Sequence, residues 1–156
     1  MRPRLAITAA LALVSGCQLA TTRPPFEPLP EARHADLALP RSEATARVAE
    51  ALREDSIPLA RVEPRDGYME SAWFEAETGR VVPGGRLGAR VVRVRGWIEP
   101  VRVRQSELRM EAVFRRTWDP SLPERELERS VAPDHPVLVR LDSVIARLVR
   151  RYGFNP

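Results

Sequence analysis

The chain has 156 residues, of which 44% are hydrophobic and 29% are charged, and its formal net charge is +4. This balance is typical of one soluble globular domain with some additional length, and it excludes a disordered or membrane-embedded chain. All 25 basic residues are arginine, which indicates a compositional bias, and the small net charge argues against a nucleic-acid partner.

The first 17 residues have the features of a bacterial export signal. Arg2 and Arg4 precede an apolar run at residues 5–14, which has signal-peptide length and is too short to cross a bilayer as a helix. Residues 14–17 (VSGC) resemble the bacterial lipobox, in which an aliphatic and two small residues precede a cysteine. The resemblance implies that Cys17 receives a diacylglycerol thioether, becomes the new N-terminus, and often carries a further acyl chain such as palmitate.

This export signal predicts a protein of the cell envelope that is held in a membrane by an N-terminal lipid anchor. Gln18 follows the lipid site in place of aspartate, which favours the periplasmic face of the outer membrane over the inner membrane. Cys17 is the sole cysteine, so no disulfide within the chain is possible. The alternatives are an ordinary cleaved secretory signal without lipid, or a buried N-terminal helix in which the cysteine occurs by chance.

Residues 18–40 contain five prolines and no hydrophobic periodicity. Proline removes backbone donors and favours extended conformations, so this segment predicts a semi-rigid tether. The tether would hold a single domain, residues 41–156, clear of the lipid surface.

The domain is predicted to begin with a helix at residues 42–55, with Ser42 as its N-cap and an apolar stripe through Val48 and Leu52. Pro58 forbids its continuation. A short strand at residues 57–62 follows, and the Asp66-Gly67 pair predicts a turn into the next strand.

Three further strands are expected at residues 68–75, 89–99 and 101–114. Period-two alternation places Val92, Val94, Gly96 and Ile98 on one face of the second of these, which indicates a half-exposed antiparallel strand. Pro100 is expected to interrupt the chain, and a change of parity near Ser106 and Glu107 predicts a bulge.

Residues 123–130 (PERELERS) predict one exposed helical turn, and residues 137–152 predict an amphipathic helix. Asp134 is its expected N-cap and Gly153 its expected end. The predicted fold is therefore α+β: an antiparallel sheet of about four strands, with the N-terminal and C-terminal helices packed on one face.

The sequence predicts no catalytic residue, no metal ligand and no cofactor. The two histidines, His34 and His135, lack the cysteines or carboxylate spacing of a zinc site, and no nucleophile elbow, phosphate loop or dinucleotide fingerprint is present. A non-enzymatic protein is expected. A small hydrolase built from convergent carboxylates stays open as a remote alternative.

A stripe of arginines and one tryptophan is the most suggestive candidate site. On the predicted strands these residues share the outer sheet face, as a flat cationic and aromatic surface for an anionic partner. The candidate residues are Arg93, Arg95, Trp97, Arg102, Arg104 and Arg109, with Arg115 beyond them. The alternative is a solvated face in which glutamates such as Glu107 and Glu111 pair with the arginines.

The element order is similar to that of BamC-like accessory lipoproteins of the outer-membrane β-barrel assembly machinery. The similarity is carried by the lipobox, the proline-rich segment, residues 46–52 (ARVAEAL), residues 67–75 (GYMESAWFE) and the terminal helix. That family carries two such domains, whereas this chain has one. The resemblance implies a non-enzymatic binding or scaffolding module with an envelope protein partner.

The alternative function is a carrier for an amphipathic or anionic envelope ligand. It would need an apolar cavity between sheet and helices, lined by Leu108, Met110, Phe114 and the last helix.

Overall fold

A computed structural model describes residues 21–83 and 87–154 of the chain. The described elements, in chain order, are β1 (Arg33–Leu37), α1 (Arg41–Glu54), β2 (Leu59–Glu63), β3 (Tyr68–Ser71), β4 (Phe74–Glu75), β5 (Val91–Arg102), β6 (Gln105–Arg115), α2 (Glu124–Leu127), β7 (Glu128–Ser130) and α3 (Pro136–Tyr152). This mixture of helices with an antiparallel sheet confirms the predicted α+β class.

The strands form a seven-stranded antiparallel sheet with the order β1-β6-β5-β3-β2, in which β4 pairs with β5 and β7 with β6. About four strands were expected. The count differs because residues 68–75 divide into β3 and β4, and because β1 and β7 arise in the predicted tether and the predicted helical turn. The long β5–β6 hairpin lies at the centre of the sheet.

The segment predicted to be a tether belongs to the folded domain. β1 pairs with β6 along its whole length, with Ala35 opposite Leu108, and Leu37 and Leu39 are buried in the core. The boundary placed at residue 41 is therefore wrong. The flanking prolines obscured a short period-two pattern through Ala35, Leu37 and Leu39, which marks a strand with one buried face.

Both long helices pack on one face of the sheet, as predicted. Val48 and Leu52 of α1, and Leu141 and Val144 of α3, share one apolar cluster with the inward side chains of the central strands. The predicted inward residues of β5, Val92, Val94 and Ile98, are fully buried in the same cluster. Gly96 continues that face because a Cβ there would lie 3.0 Å from Cγ of Met69.

The helix ends differ from prediction in their caps. Pro40, with no side-chain hydrogen bond, precedes α1 in place of the expected Ser42 cap. His135, not Asp134, caps α3: its Nδ1 accepts from the Val137 amide at 3.3 Å, and its Nε2 lies 2.8 Å from the Ala89 carbonyl. A neutral ring protonated at Nε2 satisfies both contacts. Gly153 ends α3 as expected.

The β5–β6 connection is a two-residue turn. β5 continues through Pro100 to Arg102, which pairs with Gln105, so Val103 and Arg104 form the turn. The expected break at Pro100 and the bulge at residues 106–107 are wrong. The register shift lies between Pro100 and Arg102, where a proline without an N–H is tolerated.

Loss of one core side chain at the helix–sheet interface is expected to destabilise the domain. Leu141→Ala removes a fully buried side chain of α3 and should lower the free energy of unfolding by about 2–5 kcal/mol. Leu122→Ala, at an exposed leucine, is the matched control and should cost about 1 kcal/mol or less. Urea unfolding of both variants measures the difference, and equal losses would contradict the described core.

Candidate functional site

The sheet face opposite the helices carries the predicted candidates Arg93, Arg95 and Trp97, and it is covered rather than exposed. Arg95 is 2% exposed and Trp97 has no exposed surface. Phe26 packs edge-on against Trp97 at a centroid distance of 6.3 Å, so the chain before β1 forms part of the cover. A flat cationic surface therefore does not exist at these three positions.

Arg95 is the centre of a buried ionic network. Its Nη1 and Nη2 donate to the two carboxylate oxygens of Glu128, each at 2.6 Å, in a bidentate pair. Its Nε donates to Glu70 Oε2 at 2.6 Å, and Nη1 also reaches Glu111 Oε1 at 3.3 Å. Three other strands thus each supply one carboxylate to a single guanidinium on β5: its neighbours β3 and β6, and β7, which pairs with β6.

The same network binds the N-terminal segment to the sheet. Glu111 Oε2 accepts from the Leu29 amide at 2.7 Å, and Glu111 Oε1 accepts from Arg125 Nη1 at 2.6 Å. Arg125 Nη2 donates to the Glu27 carbonyl at 2.7 Å. The guanidinium groups of Arg125 and Arg95 also lie 4.6 and 5.1 Å from the Phe26 ring centroid, within cation–π range.

The network shifts the pKa values of Glu70 and Tyr68 away from neutral pH. Burial raises the pKa of Glu70, but hydrogen bonding and charge from Arg95 outweigh it, so this pKa lies below its ordinary value of 4.5. Burial, together with the charge of Glu70, raises the pKa of Tyr68 above its ordinary value of 10.0. An ionised Glu70 accepts from a neutral Tyr68 hydroxyl at 2.9 Å. Neither group is poised for acid–base chemistry at neutral pH.

A second cluster accounts for Arg93 and Arg115. Their guanidinium groups each lie 4.5 Å from the Trp73 ring centroid, and both pair with Glu124. Trp73 Nε1 donates to Glu124 Oε1 at 3.2 Å. These arginines therefore bind the start of α2 to the sheet and are not available to an external partner.

The remaining predicted candidates are exposed but lie apart. Arg109, on β6, pairs with Glu107 of its own strand at 3.0 Å. Arg102 ends β5 and Arg104 lies in the β5–β6 turn, so they do not share a strand as expected. The predicted face is thus divided into a buried network, one surface ion pair and an arginine-bearing turn.

The described chain begins at the same end of the domain as this turn. The Thr22 amide and hydroxyl donate to Asp66 Oδ2 at 2.8 and 2.6 Å, which fixes the chain to the β2–β3 turn. Arg23 forms an ion pair with Glu99, two residues before Val101. Sequence reasoning missed this docking, although Phe26 and Leu29 were apolar signals between the prolines.

Cys17, the predicted lipidation site, lies outside the described residues. Over residues 21–83 and 87–154, no group of three or more His, Cys, Asp or Glu side chains is arranged to hold a metal ion. In the same part of the chain, no helix combines the length and apolarity needed to cross a bilayer. No family model matches the chain, and no curated protein gives a significant match.

Removal of the central guanidinium is expected to destabilise the domain strongly. Arg95→Met leaves buried Glu128 without its bidentate partner, which should lower the free energy of unfolding by about 3–5 kcal/mol. Arg109→Met removes an arginine from an exposed pair and should cost about 1 kcal/mol or less. Chemical denaturation measures both, and a small loss for Arg95→Met would contradict the network.

The network also predicts acid sensitivity. Because the folded pKa of Glu70 lies below its ordinary value of 4.5, its contribution to stability is complete above that pH and is lost as the pH falls through the folded pKa. Glu70→Gln should therefore flatten the decline of stability below pH 4.5, measured by denaturation at a series of pH values. Glu43→Gln, at an exposed glutamate of α1, controls for charge removal, and an unchanged slope in Glu70→Gln would refute the assignment.

Proposed function

We propose that this chain is a lipid-anchored envelope protein, attached through Cys17, whose domain is a non-enzymatic binding or scaffolding module held close to the membrane. The observation that carries the proposal is the docking of the chain from Thr22 onward onto the domain. It makes the predicted anchor and the domain near neighbours, whereas a tether of residues 18–40 would have separated them.

The spacing is limited by the length of the backbone. Thr22, the first residue bound to the domain, lies five residues after Cys17, and an extended chain spans at most about 3.6 Å per residue, or about 18 Å in all. A lipid on Cys17 would therefore hold Thr22 within about 18 Å of the headgroup region, whatever the conformation of the connecting residues.

A non-catalytic role is supported by how the buried carboxylates are used. Glu128 is bound by Arg95 and Arg125, and Glu111 by Arg95, Arg125 and the Leu29 amide. Their side chains are almost wholly buried, so they hold segments together and do not reach a substrate. This group of carboxylates therefore does not support the hydrolase alternative.

The carrier alternative is not supported by the core. Leu108 and Met110 have no accessible surface and lie in the same apolar cluster as Leu141 of α3. A water-sized cavity against them would leave accessible surface on both side chains. The proposed partner is instead an envelope protein complex, and outer-membrane assembly is the context that the sequence resemblance implies.

The anchor is tested by comparing the full-length protein with Cys17→Ser in a bacterium that processes lipoproteins. We expect wild type to fractionate with membranes and to carry the mass of an acylated N-terminal cysteine, and Cys17→Ser to lose both. Ser42→Ala, at an exposed residue that does not cap α1, is the control and should behave as wild type. Unmodified Cys17, or unchanged membrane recovery of Cys17→Ser, would refute the anchor.

The scaffolding role is tested by crosslinking in the same cells, followed by mass spectrometry. A defined envelope complex should crosslink to wild type and to Ser42→Ala, and its yield should fall in Cys17→Ser. An acylated protein that crosslinks to no defined partner would leave the anchor standing and refute the scaffold.

A further inference from the structure

The β5–β6 turn breaks the local rules for a hairpin. Residues 101–104, here called the tip hairpin, carry Val-Arg-Val-Arg where two-residue turns favour Asn and Gly. Arg104 has φ of 70°, in the left-handed region that costs a residue with a Cβ about 1–2 kcal/mol. Val103 is 91% exposed and Val101 is 52% exposed. Departures of this kind are expected at functional positions.

The tip hairpin also carries two arginines that are not paired with carboxylates. Within residues 21–83 and 87–154, the side chains of Arg102 and Arg104 form no hydrogen bond or ion pair. Glu99 and Glu107, a cross-strand pair of carboxylates close to the tip hairpin in sequence, are bound by Arg23 and Arg109 and not by the tip arginines. Arg102 and Arg104 are exposed to solvent.

Further arginines lie at the same end of the domain. The side chain of Arg41, at the start of α1, packs against Gly67, whose carbonyl accepts from the Ile98 amide of β5 at 2.7 Å. Arg65 is exposed in the β2–β3 turn, next to the Asp66 carboxylate that Thr22 binds. At the tip itself, exposed valines alternate with two unpaired arginines, which is complementary to an apolar layer beneath anionic headgroups.

The position at which the described chain begins favours a bilayer as the partner of the tip hairpin. Thr22 and Arg23 are bound to the β2–β3 turn and to Glu99, so the chain leaves the domain beside the tip hairpin. At most about 18 Å of chain then leads from Thr22 back to Cys17. A lipid on Cys17 would bring this end of the domain, and not the opposite end, to the bilayer.

We propose that the tip hairpin docks on the bilayer in which the Cys17 lipid is inserted. Arg102 and Arg104 bind the phosphates of anionic phospholipids, and Val101 and Val103 enter the headgroup–acyl boundary. This inference rests on the proposed lipid anchor. It adds a second, reversible contact that fixes the orientation of the domain. The tip hairpin then faces the membrane, and the start of α3 points away from it.

The test uses full-length protein with Val103→Cys, purified from membranes and labelled at the introduced thiol with an environment-sensitive fluorophore. It is reconstituted into vesicles of phosphatidylcholine with phosphatidylglycerol, and nitroxide lipids carrying the spin label in the headgroup region serve as quenchers. The matched control is Val139→Cys. Val139 is also an exposed valine, 57% exposed, and it lies at the opposite end of the domain, near the start of α3.

We expect the probe at position 103 to shift to the blue and to be quenched several-fold more strongly than the probe at position 139. Arg102→Gln combined with Arg104→Asn should lower the docking equilibrium about 30-fold, since each arginine near an anionic surface contributes about 1 kcal/mol. Asparagine tolerates the left-handed conformation, so this variant should stay folded, and its circular dichroism and unfolding midpoint check that it does. Quenching should also fall in vesicles of phosphatidylcholine alone.

Intact mass of the same samples separates the two proposals. An acylated protein whose position-103 probe is quenched no more than its position-139 probe overturns hairpin docking and leaves the anchor intact. Quenching that does not respond to the arginine substitutions or to phosphatidylglycerol overturns the assigned chemistry. A protein without acyl mass refutes the anchor, and hairpin docking falls with it.

Discussion

The bidentate pair between Arg95 and Glu128 is the constraint on which the rest of this structure depends. A guanidinium in the middle of a sheet face that is closed to solvent must be compensated fully, because an unpaired buried charge costs several kcal/mol. The compensation comes from carboxylates on β3, β6 and β7, which fixes the positions of these strands around β5. Glu111 and Arg125 then extend the pairing to the backbone at Leu29 and Glu27, so the charge network also fixes the path of the N-terminal segment.

Local sequence patterns predicted the side of the sheet that faces the helices. The period-two run in β5 and the helical stripes of α1 and α3 each need only neighbouring residues to be recognised, and these elements and their inward residues were predicted correctly. The strand β1 was missed because prolines surround a pattern of only three apolar residues. The α+β class followed from the order of the long elements, since amphipathic helices must bury their apolar stripes against the sheet.

The opposite face could not be predicted in the same way. The sequence pattern of alternating arginines is the same on a solvent-exposed sheet face as on a covered one. Only ion pairs with residues distant in the sequence distinguish the two. Glu128, whose partner Arg95 lies 33 residues away, falls in a run whose composition predicts an exposed turn. One signal was available: Trp97 shares the face of the arginines, and a large aromatic residue in such a row indicates that something covers it. Of the predicted arginine candidates, Arg102 and Arg104 are left without a carboxylate partner in the described part of the chain, which directs attention to the tip hairpin.

The proposed lipid on Cys17 would hold the domain at the membrane surface, because the chain docks onto the domain at Thr22, five residues after Cys17. Neutron reflectometry of the lipidated protein on a supported bilayer measures the thickness of the water layer between headgroups and protein. We expect a layer no thicker than about 18 Å, the reach of the five residues from Cys17 to Thr22. A layer approaching about 70 Å, the length of residues 18–40 as an extended proline-rich tether, would contradict it.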